Sequence, residues 1–501
     1  MPTGSTGHAG ATASLKLTFH LAHSVGANQA PWLLTSAVVA QDTDQFAGRV
    51  AVTIGPNAVT GPVTAKALNS FDISFVDPAI GLYALGDRTN NAVDLVDTHD
   101  NIFLGFCGQG KFTGATGNNN TSGPDGVLIR ESRELWVGDG DSTVKVFDVA
   151  GCDGTTSPKQ TIHTGMVSDM RADELCYDPR DQLIMVANNA ADPPFATLIS
   201  TLGPTYVPVM RITFNGTPSP TPKSTNGAEQ CQWSPKTGMF YITIPGIETP
   251  DNGHGVVAVI SPQSLTVVKV FDLPLVKCDT PQGMAVGPDN DILIGCNGQK
   301  GSTTKSSVII DGTSGTIRAT VANESGPDEV WFNSGNNHYF LARSGAAGGG
   351  QLQQALGIID AGTRVADTGI NNIGPVNGTN GTMVCPPVTN PTPPPATIAD
   401  PKCVHPSAHS VAADSVTNKT FWPIPGSGPN DPNGLSTVCG NAGGSNTMGC
   451  ILVINGVNDA DDTTTTAKNS NGNGPKNCVA QGAPVMEVSG GEAKQLKVSC
   501  D

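Results

Sequence analysis

A short pattern of apolar and polar positions recurs along the chain. In its clearest copy, residues 71–78, a polar residue is followed by a short apolar run, and a turn residue comes five positions after the polar one. The same pattern recurs six more times, and its first polar position is then occupied by Asp125, Asp173, Glu229, Gln282, Asp328 and His409. Short apolar runs bounded by turn residues are typical of β-strands.

Further strands follow each copy in a fixed order. After the first strand of the clearest copy come three more apolar runs, at 82–85, 92–97 and 102–106. Four short strands in about 35–50 residues form one blade of a β-propeller. The sequence therefore predicts an all-β fold, a seven-bladed β-propeller with an N-terminal lead-in and a C-terminal extension.

The repeat also predicts how the chain is divided. We expect a lead-in with edge strands at 1–64, blades 1–6 at 65–370, a Pro/Thr/Asn-rich excursion at 371–406, blade 7 at 407–456 and a tail at 457–501. Blade 7 contains only three predicted strands, and an open ring would leave exposed edges. Its fourth strand is therefore expected from residues 49–54 or from residues 495–499.

Composition supports this class of fold and excludes some partners. The chain has 60 Gly and 38 Pro among 501 residues, which favours a turn-rich β-protein. A net charge of −16 argues against binding to nucleic acid or to an anionic membrane surface. No apolar run is long enough for a membrane-spanning helix. No signal peptide is visible after Met1, so we interpret the sequence as a mature form behind an added Met.

The chain contains 12 Cys and no CxxC motif. This usage favours disulfides and an oxidising compartment, which predicts a secreted, periplasmic or cell-surface protein. The connectivity stays open, and free buried thiols are the alternative. Positions on the strand map suggest four pairs: Cys107 with Cys152, Cys278 with Cys296, Cys439 with Cys450, and Cys478 with Cys500.

In each repeat, the second predicted strand often ends in a small residue or Asn, and the third predicted strand is similar to V-x-V-I-D. Residues 82–97 (LYALGDRTNNAVDLVD) are the clearest example. This motif resembles the YVTN-type β-propeller repeat over roughly residues 65–455, which implies the propeller fold. That family includes binding, surface and enzyme-associated proteins. A looser similarity to gluconolactonase-like propellers implies one divalent cation held by Glu, Asn and Asp, although this chain has no matching set.

The first polar position of the repeat predicts a ring, because the first strand of each blade lines the central channel. This column consists of Asp72, Asp125, Asp173, Glu229, Gln282, Asp328 and His409. Two carboxylates ~6 Å apart at an effective dielectric constant of ~20 repel each other by about 3 kcal/mol. We therefore predict that the seven residues bind a divalent cation. The alternative is a water-filled polar lining.

Hard oxygen ligands favour Ca²⁺ or Mg²⁺, whereas a contribution from His409 favours Mn²⁺ or another transition metal. Glu174 and Glu329 directly follow column positions. Alternation along a strand is expected to turn them away from the channel.

Polar residues in the loops near the ring predict a ligand-binding mouth. The candidates are Asp87, Asp139, Asn189, Asn297 and Arg343. We expect Arg343 to be the one basic group at this level. Ordinary Asx-turn chemistry is the alternative role of the acidic and amide residues.

The leading hypothesis is an extracytoplasmic binding or scaffold protein for a small-molecule or protein ligand. A metal-dependent hydrolase of lactone or ester type is the alternative, with Asp173, Glu229 or His409 as the base that activates metal-bound water. A third hypothesis is self-assembly into a surface layer or filament. Neither nucleic-acid binding nor membrane insertion is expected.

Overall fold

The computed structural model describes residues 66, 68–248, 254–297, 306–322, 324–343, 355–366, 409–425 and 450–455, and the strand segments 7–9, 48–53, 476–480 and 498–500. The chain forms two compact units, one from residues 46–457 and one from residues 1–45 with 458–501. The second unit contains a three-stranded sheet of β1 (Gly7–Ala9), β30 (Lys476–Ala480) and β31 (Val498–Cys500).

The larger unit consists of seven four-stranded antiparallel sheets within the described residues. Blades 1–3 are formed by β3 (Ser74–Asp77), β4 (Leu82–Asp87), β5 (Ala92–Asp97), β6 (Ile102–Cys107), β7 (Val127–Arg130), β8 (Glu134–Asp139), β9 (Thr143–Asp148), β10 (Gln160–His163), β11 (Leu175–Asp178), β12 (Leu183–Asn188), β13 (Phe195–Ser200) and β14 (Val207–Thr213). Blades 4–6 are formed by β15 (Cys231–Ser234), β16 (Met239–Ile244), β17 (Gly255–Ser261), β18 (Thr266–Leu273), β19 (Pro281–Val286), β20 (Asp291–Cys296), β21 (Ser306–Asp311), β22 (Ile317–Ala322), β23 (Pro327–Asn333), β24 (His338–Arg343), β25 (Ala355–Asp360) and β26 (Val365–Ala366). Short 3₁₀-helices lie at Asn119–Thr121, Val167–Asp169 and Pro288–Asn290.

Blade 7 closes the propeller with a strand from the N-terminal part of the chain. It contains β27 (Ala412–Asp414), β28 (Lys419–Ile424), β29 (Cys450–Asn455) and β2 (Gly48–Thr53). β2 pairs antiparallel with β29 along its whole length. The first of the two predicted sources of the fourth strand is therefore the one observed.

The hydrophobic core is divided among the blade interfaces. The described buried residues form seven apolar clusters, one between each pair of neighbouring blades. Between blades 7 and 1, for example, the rings of Phe421 and Tyr83 stack with centroids 5.0 Å apart. Central strands bury side chains on both faces, which explains why they read as continuous apolar runs. The seven-bladed β-propeller predicted from the repeat is confirmed.

Three disulfides are described. Cys107–Cys152 links blades 1 and 2, and Cys278–Cys296 lies within blade 5, as expected. Cys176–Cys231, which was not foreseen, joins the innermost strands β11 and β15. No described cysteine is free. Cys450 is also disulfide-bonded, and its expected partner Cys439 lies outside the described residues. The predicted pair Cys478 and Cys500 lie opposite each other in the register of β30 and β31.

Candidate functional site

The column residues begin the innermost strands at one end of the channel, and we call this end the ring side. In blades 1–4 their backbone N–H groups make the same contact, a hydrogen bond to the second strand. The pairs are Asp72 to Gly86 O (2.9 Å), Asp125 to Gly138 O (2.9 Å), Asp173 to Ala187 O (2.7 Å) and Glu229 to Thr243 O (2.9 Å). In blades 5 and 6 the register shifts near Gln282 and Asp328. The column is therefore one structural position, modified in two blades by a bulge.

Neighbouring innermost strands approach each other closely just below the ring. A Cβ on Gly126 would lie 1.9 Å from the carbonyl oxygen of Asp173, and a Cβ on Gly283 would lie 2.6 Å from that of Asp328. Both distances are too short for a side chain. Glycine at these two positions lets the ring residues of adjacent blades come together.

Two arginines neutralise the ring in blades 1–3. The guanidinium of Arg88 pairs with both Asp72 and Asp125, and its Nε lies 3.0 Å from Oδ1 of Asp125. Arg171 places Nη2 2.9 Å from Oδ2 of Asp173 and Nη1 3.9 Å from Oδ2 of Asp72. All three carboxylates are buried. These ion pairs alternate negative and positive groups, so this half of the ring is held together by its own charges.

The other half of the ring is more open to solvent. The imidazole Nδ1 of His409 pairs with Oδ2 of Asp328 and lies 4.0 Å from Oδ1 of Asp72. The side chains of His409 and Asp328 keep 34% and 24% of their surface exposed. Glu229 is also partly exposed, and Gln282 accepts a hydrogen bond from Asn297. A ligand approaching the channel mouth would meet these groups first.

Protonation differs between the ring residues. Burial lowers the pKa of His409, but the carboxylates of Asp328 and Asp72 outweigh it and raise the pKa to about 9. Burial, with repulsion from Asp328 and Asp173, raises the pKa of Glu229 to about 8. Burial also raises the pKa of Asp173 to about 6, although Arg171 opposes this shift. These shifts favour the imidazolium form of His409 and the protonated form of Glu229 near neutral pH.

Three ring oxygens have the spacing of a possible cation site. Asp72, Asp125 and Asp173 each offer one oxygen, and these atoms lie within 4.8 Å of one another. The carboxylate donors suit Ca²⁺, and Oδ2 of Asp125 is buried without a hydrogen-bond partner in the described part of the chain. However, Arg88 and Arg171 already bind these carboxylates, so a cation would compete with them. The divalent cation stays a prediction, with these three residues as its holders.

The two arginines are the functional residues that sequence reasoning missed. Arg88 follows the second strand of blade 1, and Arg171 lies two positions before Asp173. Expecting Arg343 to be the one basic group at this level was therefore wrong. The sequence did contain a signal for both arginines. The chain has few basic side chains, and Arg88 lies shortly after a predicted strand while Arg171 lies close to a column residue.

The five loop residues predicted to bind ligand fall into two groups. Asn189 accepts a hydrogen bond from Nε of Arg171 at 3.0 Å, and Asn297 contacts Gln282, so both lie beside the ring. Asp87, Asp139 and Arg343 form the second group and are at most 1% exposed, whereas Asn189 is 8% exposed. Their ligand-binding roles stay predictions.

Each of these three buried side chains is used internally. Asp87 accepts a hydrogen bond from the backbone N–H of Asn90, as the Asx-turn alternative expects. Asp139 pairs with Lys145, and Arg343 with Glu324.

Glu174 and Glu329 do not turn away from the channel, so that expectation was wrong. Their carboxyl groups interact with each other, and burial together with this contact raises the pKa of Glu174 well above its usual range. Burial raises the pKa of Glu329 to about 8. The innermost strand presents its edge to the channel, so successive residues near its start both reach the axis. In blade 6 the bulge at Asp328 adds to this effect.

Connections between strands differ in length at the two ends of the channel. Those on the ring side of the described blades include 108–126, 164–174 and 214–230. Those on the opposite side, which we call the turn side, include the short turns 78–81, 98–101, 179–182, 235–238 and 262–265 and one longer connection, 149–159. The two longest described connections, 108–126 and 214–230, are both on the ring side. Long loops carry recognition more often than tight turns do, and the elaborated face is the one that surrounds the ring.

No known protein-family profile matches the chain, and no curated protein matches its sequence. Solved structures of similar shape include the WD40 β-propeller domain of Doa1, at 12% identity and a TM-score of 0.47, over 81% of this chain and 97% of that one. A second similar structure is a chain from the mitotic checkpoint complex, which has 10% sequence identity to this chain and a TM-score of 0.48, over 83% of this chain and 95% of that one. The fold assignment rests on the sheets described above.

Proposed function

We propose that this chain is an extracytoplasmic β-propeller binding protein that recognises its ligand, a polar molecule or a protein, at the ring side. The observation that carries this proposal is the placement of the long connections around the partly exposed Glu229, Asp328 and His409. Polar side chains surrounded by long loops on a rigid scaffold are a common construction of a binding site.

The disulfides support an oxidising compartment. Two of them link different blades, and disulfides of this kind persist outside the cytoplasm. Among the described residues, no helix has the length and apolar character needed to span a membrane. Self-association through the terminal segments remains a further prediction.

The protonation of the ring favours binding over hydrolysis. A general base must be unprotonated at the working pH. The raised pKa values of His409, about 9, and of Glu229, about 8, favour the protonated form of both side chains near neutral pH in the absence of a metal ion. Asp173 is buried against Arg171. Each side chain fits a charge or hydrogen-bonding role in recognition better than the role of a base.

The proposal can be tested by ligand capture. Immobilised protein is incubated with concentrated culture fluid of the source organism, and retained molecules are identified by mass spectrometry and purified. Their dissociation constants are then measured for wild type, for Glu229→Gln/Asp328→Asn and for the control Asp100→Asn on the turn side. We expect the ring variant to lose about tenfold or more in affinity and the control to match wild type. Equal affinity for all three proteins would contradict recognition at the ring.

A further inference from the structure

A separate cavity lies in the channel below the ring. Its volume is about 320 Å³, and its walls come from the innermost strands of blades 1, 2, 3, 4 and 6. It extends from Glu174 and Glu329 to Pro179, an exposed residue of a turn-side connection. The cavity therefore reaches solvent on the side opposite to the ring, and its volume suits a small ligand.

Four aromatic side chains line this cavity: Phe75, Tyr177, Trp233 and Trp331. Each is partly exposed, so its ring is not fully covered by protein. Phe75 and Trp331 meet edge to face with centroids 5.4 Å apart, although they belong to blades 1 and 6. Aromatic faces attract cations, and more strongly where the cation is removed from water.

The ring-side end of the cavity is acidic. Glu174 and Glu329 are 6% and 5% exposed, and they contact each other. Arg88, Arg171 and His409 pair with acids of the ring, but no described basic group pairs with Glu174 or Glu329. These two carboxyl groups are therefore the part of the channel that lacks a positive partner.

Gln230 fixes the position of one of these acids. Its Nε2 donates to Oε2 of Glu329 at 2.8 Å, and its Oε1 accepts from the backbone N–H groups of Met284 at 2.6 Å and Val330 at 3.3 Å. The amide thus connects the carboxyl group to the bulged strands of blades 5 and 6. Glu329 is held in place before any ligand arrives, which lowers the entropic cost of binding.

We infer that this cavity binds a small organic cation, an ammonium with an apolar body. Its charged group lies against Glu174 and Glu329, from which binding releases a proton to solvent, and its body lies among the aromatic rings. A Ca²⁺ ion would need six to eight oxygen ligands. The wall instead offers apolar side chains such as Val127, Leu128 and Ile129 beyond the acidic end. This site is independent of the ring-side recognition proposed above.

The test uses probes that differ in charge and not in shape. Choline and its neutral isostere 3,3-dimethylbutan-1-ol are titrated by calorimetry into the full-length protein. Butylammonium is compared in the same way with its neutral isostere 1-butanol. We expect each cation to bind about tenfold or more tightly than its neutral counterpart. Equal affinities, or no saturable binding of the cations up to about 10 mM, would overturn the proposal.

Variants then locate the binding. Glu329→Gln keeps the shape and the contact with Gln230 but removes the acid, and Trp331→Leu removes an aromatic wall. We expect each to weaken cation binding by about fivefold or more, and the matched control Glu248→Gln, in an exposed ion pair with Lys223, to leave it unchanged. Melting curves show that the variants are folded. Unchanged cation affinity in folded Glu329→Gln and Trp331→Leu would place the binding elsewhere and overturn the proposal.

Discussion

The guanidinium of Arg88 binds the carboxylate of Asp125 across the boundary between blades 1 and 2, with Nε 3.0 Å from Oδ1. The same group pairs with Asp72 and donates to Oδ1 of Asn119 in a ring-side connection at 2.6 Å. One side chain therefore joins two ring positions and one loop. Because of these contacts, Asp72 and Asp125 are ion-paired within the ring and are not isolated acidic groups.

Removing this guanidinium should destabilise the propeller. Arg88→Met leaves Asp72 and Asp125 buried without their cation, and such losses cost about 3–5 kcal/mol. The loss should be largest near neutral pH and should shrink in acid, where the carboxyl groups take up protons. Denaturant unfolding at pH 7 and pH 4 measures it.

The control for this change is Arg180→Met, because Arg180 forms an exposed ion pair with Asp181. Exposed pairs contribute about 1 kcal/mol or less. Equal losses for the two variants at pH 7 would show that Arg88 has no special role in the ring.

The same variant tests the predicted cation. If Asp72, Asp125 and Asp173 hold Ca²⁺, Arg88 competes with it for two of the three carboxylates. We expect Arg88→Met to bind Ca²⁺ about tenfold or more tightly than wild type, as measured by calorimetry after treatment with a chelator. Equal or weaker Ca²⁺ binding by the variant would exclude Asp72 and Asp125 as cation ligands.

Asp87 and Asp94 form a buried carboxyl pair in blade 1. Burial raises the pKa of Asp87 to about 7, and burial together with Asp87 raises the pKa of Asp94 well above its usual range. The folded state therefore binds more protons than the unfolded state between about pH 4 and pH 7, and stability falls as the pH rises through this window.

Asp94→Asn removes one of these charges and adds an N–H donor. We expect the variant to exceed wild type by about 2 kcal/mol in free energy of unfolding at pH 8 and to match it near pH 4. Urea unfolding at both pH values measures the difference, with the exposed Asp100→Asn as control. A difference that does not change with pH would contradict the raised pKa values of Asp87 and Asp94.

The Cys176–Cys231 disulfide should make a larger contribution to stability than Cys278–Cys296. The first closes 55 residues and the second closes 18. Chain entropy predicts that Cys176→Ala/Cys231→Ala costs about 4 kcal/mol, about 1 kcal/mol more than Cys278→Ala/Cys296→Ala. Unfolding curves of both variants, and of wild type with reductant, test this order. The reverse order would contradict the chain-entropy account.

The sequence predicted the repeated strands and the ring column because both follow from local patterns. Short apolar runs fix the strands, and the same offset from each run fixes the column. The Cys176–Cys231 disulfide could also have been predicted from the positions of the repeated strands. Cys176 lies three positions after Asp173 and Cys231 two positions after Glu229, so they can meet between adjacent blades.

The partners of the ring could not be predicted in this way. Arg88 and Arg171 lie outside the column, and their contacts depend on how connections fold over the blades. Glu174 and Glu329 reach the axis because an innermost strand presents its edge, which two-residue alternation does not capture. These features depend on three-dimensional packing between blades.

The most direct test of ring-side recognition is hydrogen–deuterium exchange of unmodified protein with and without the ligand purified by capture. We predict slower exchange on ligand binding in the ring-side segments 164–174 and 214–230, and unchanged exchange in the turn-side segments 78–81 and 235–238. Slower exchange confined to the turn side would contradict the proposed function.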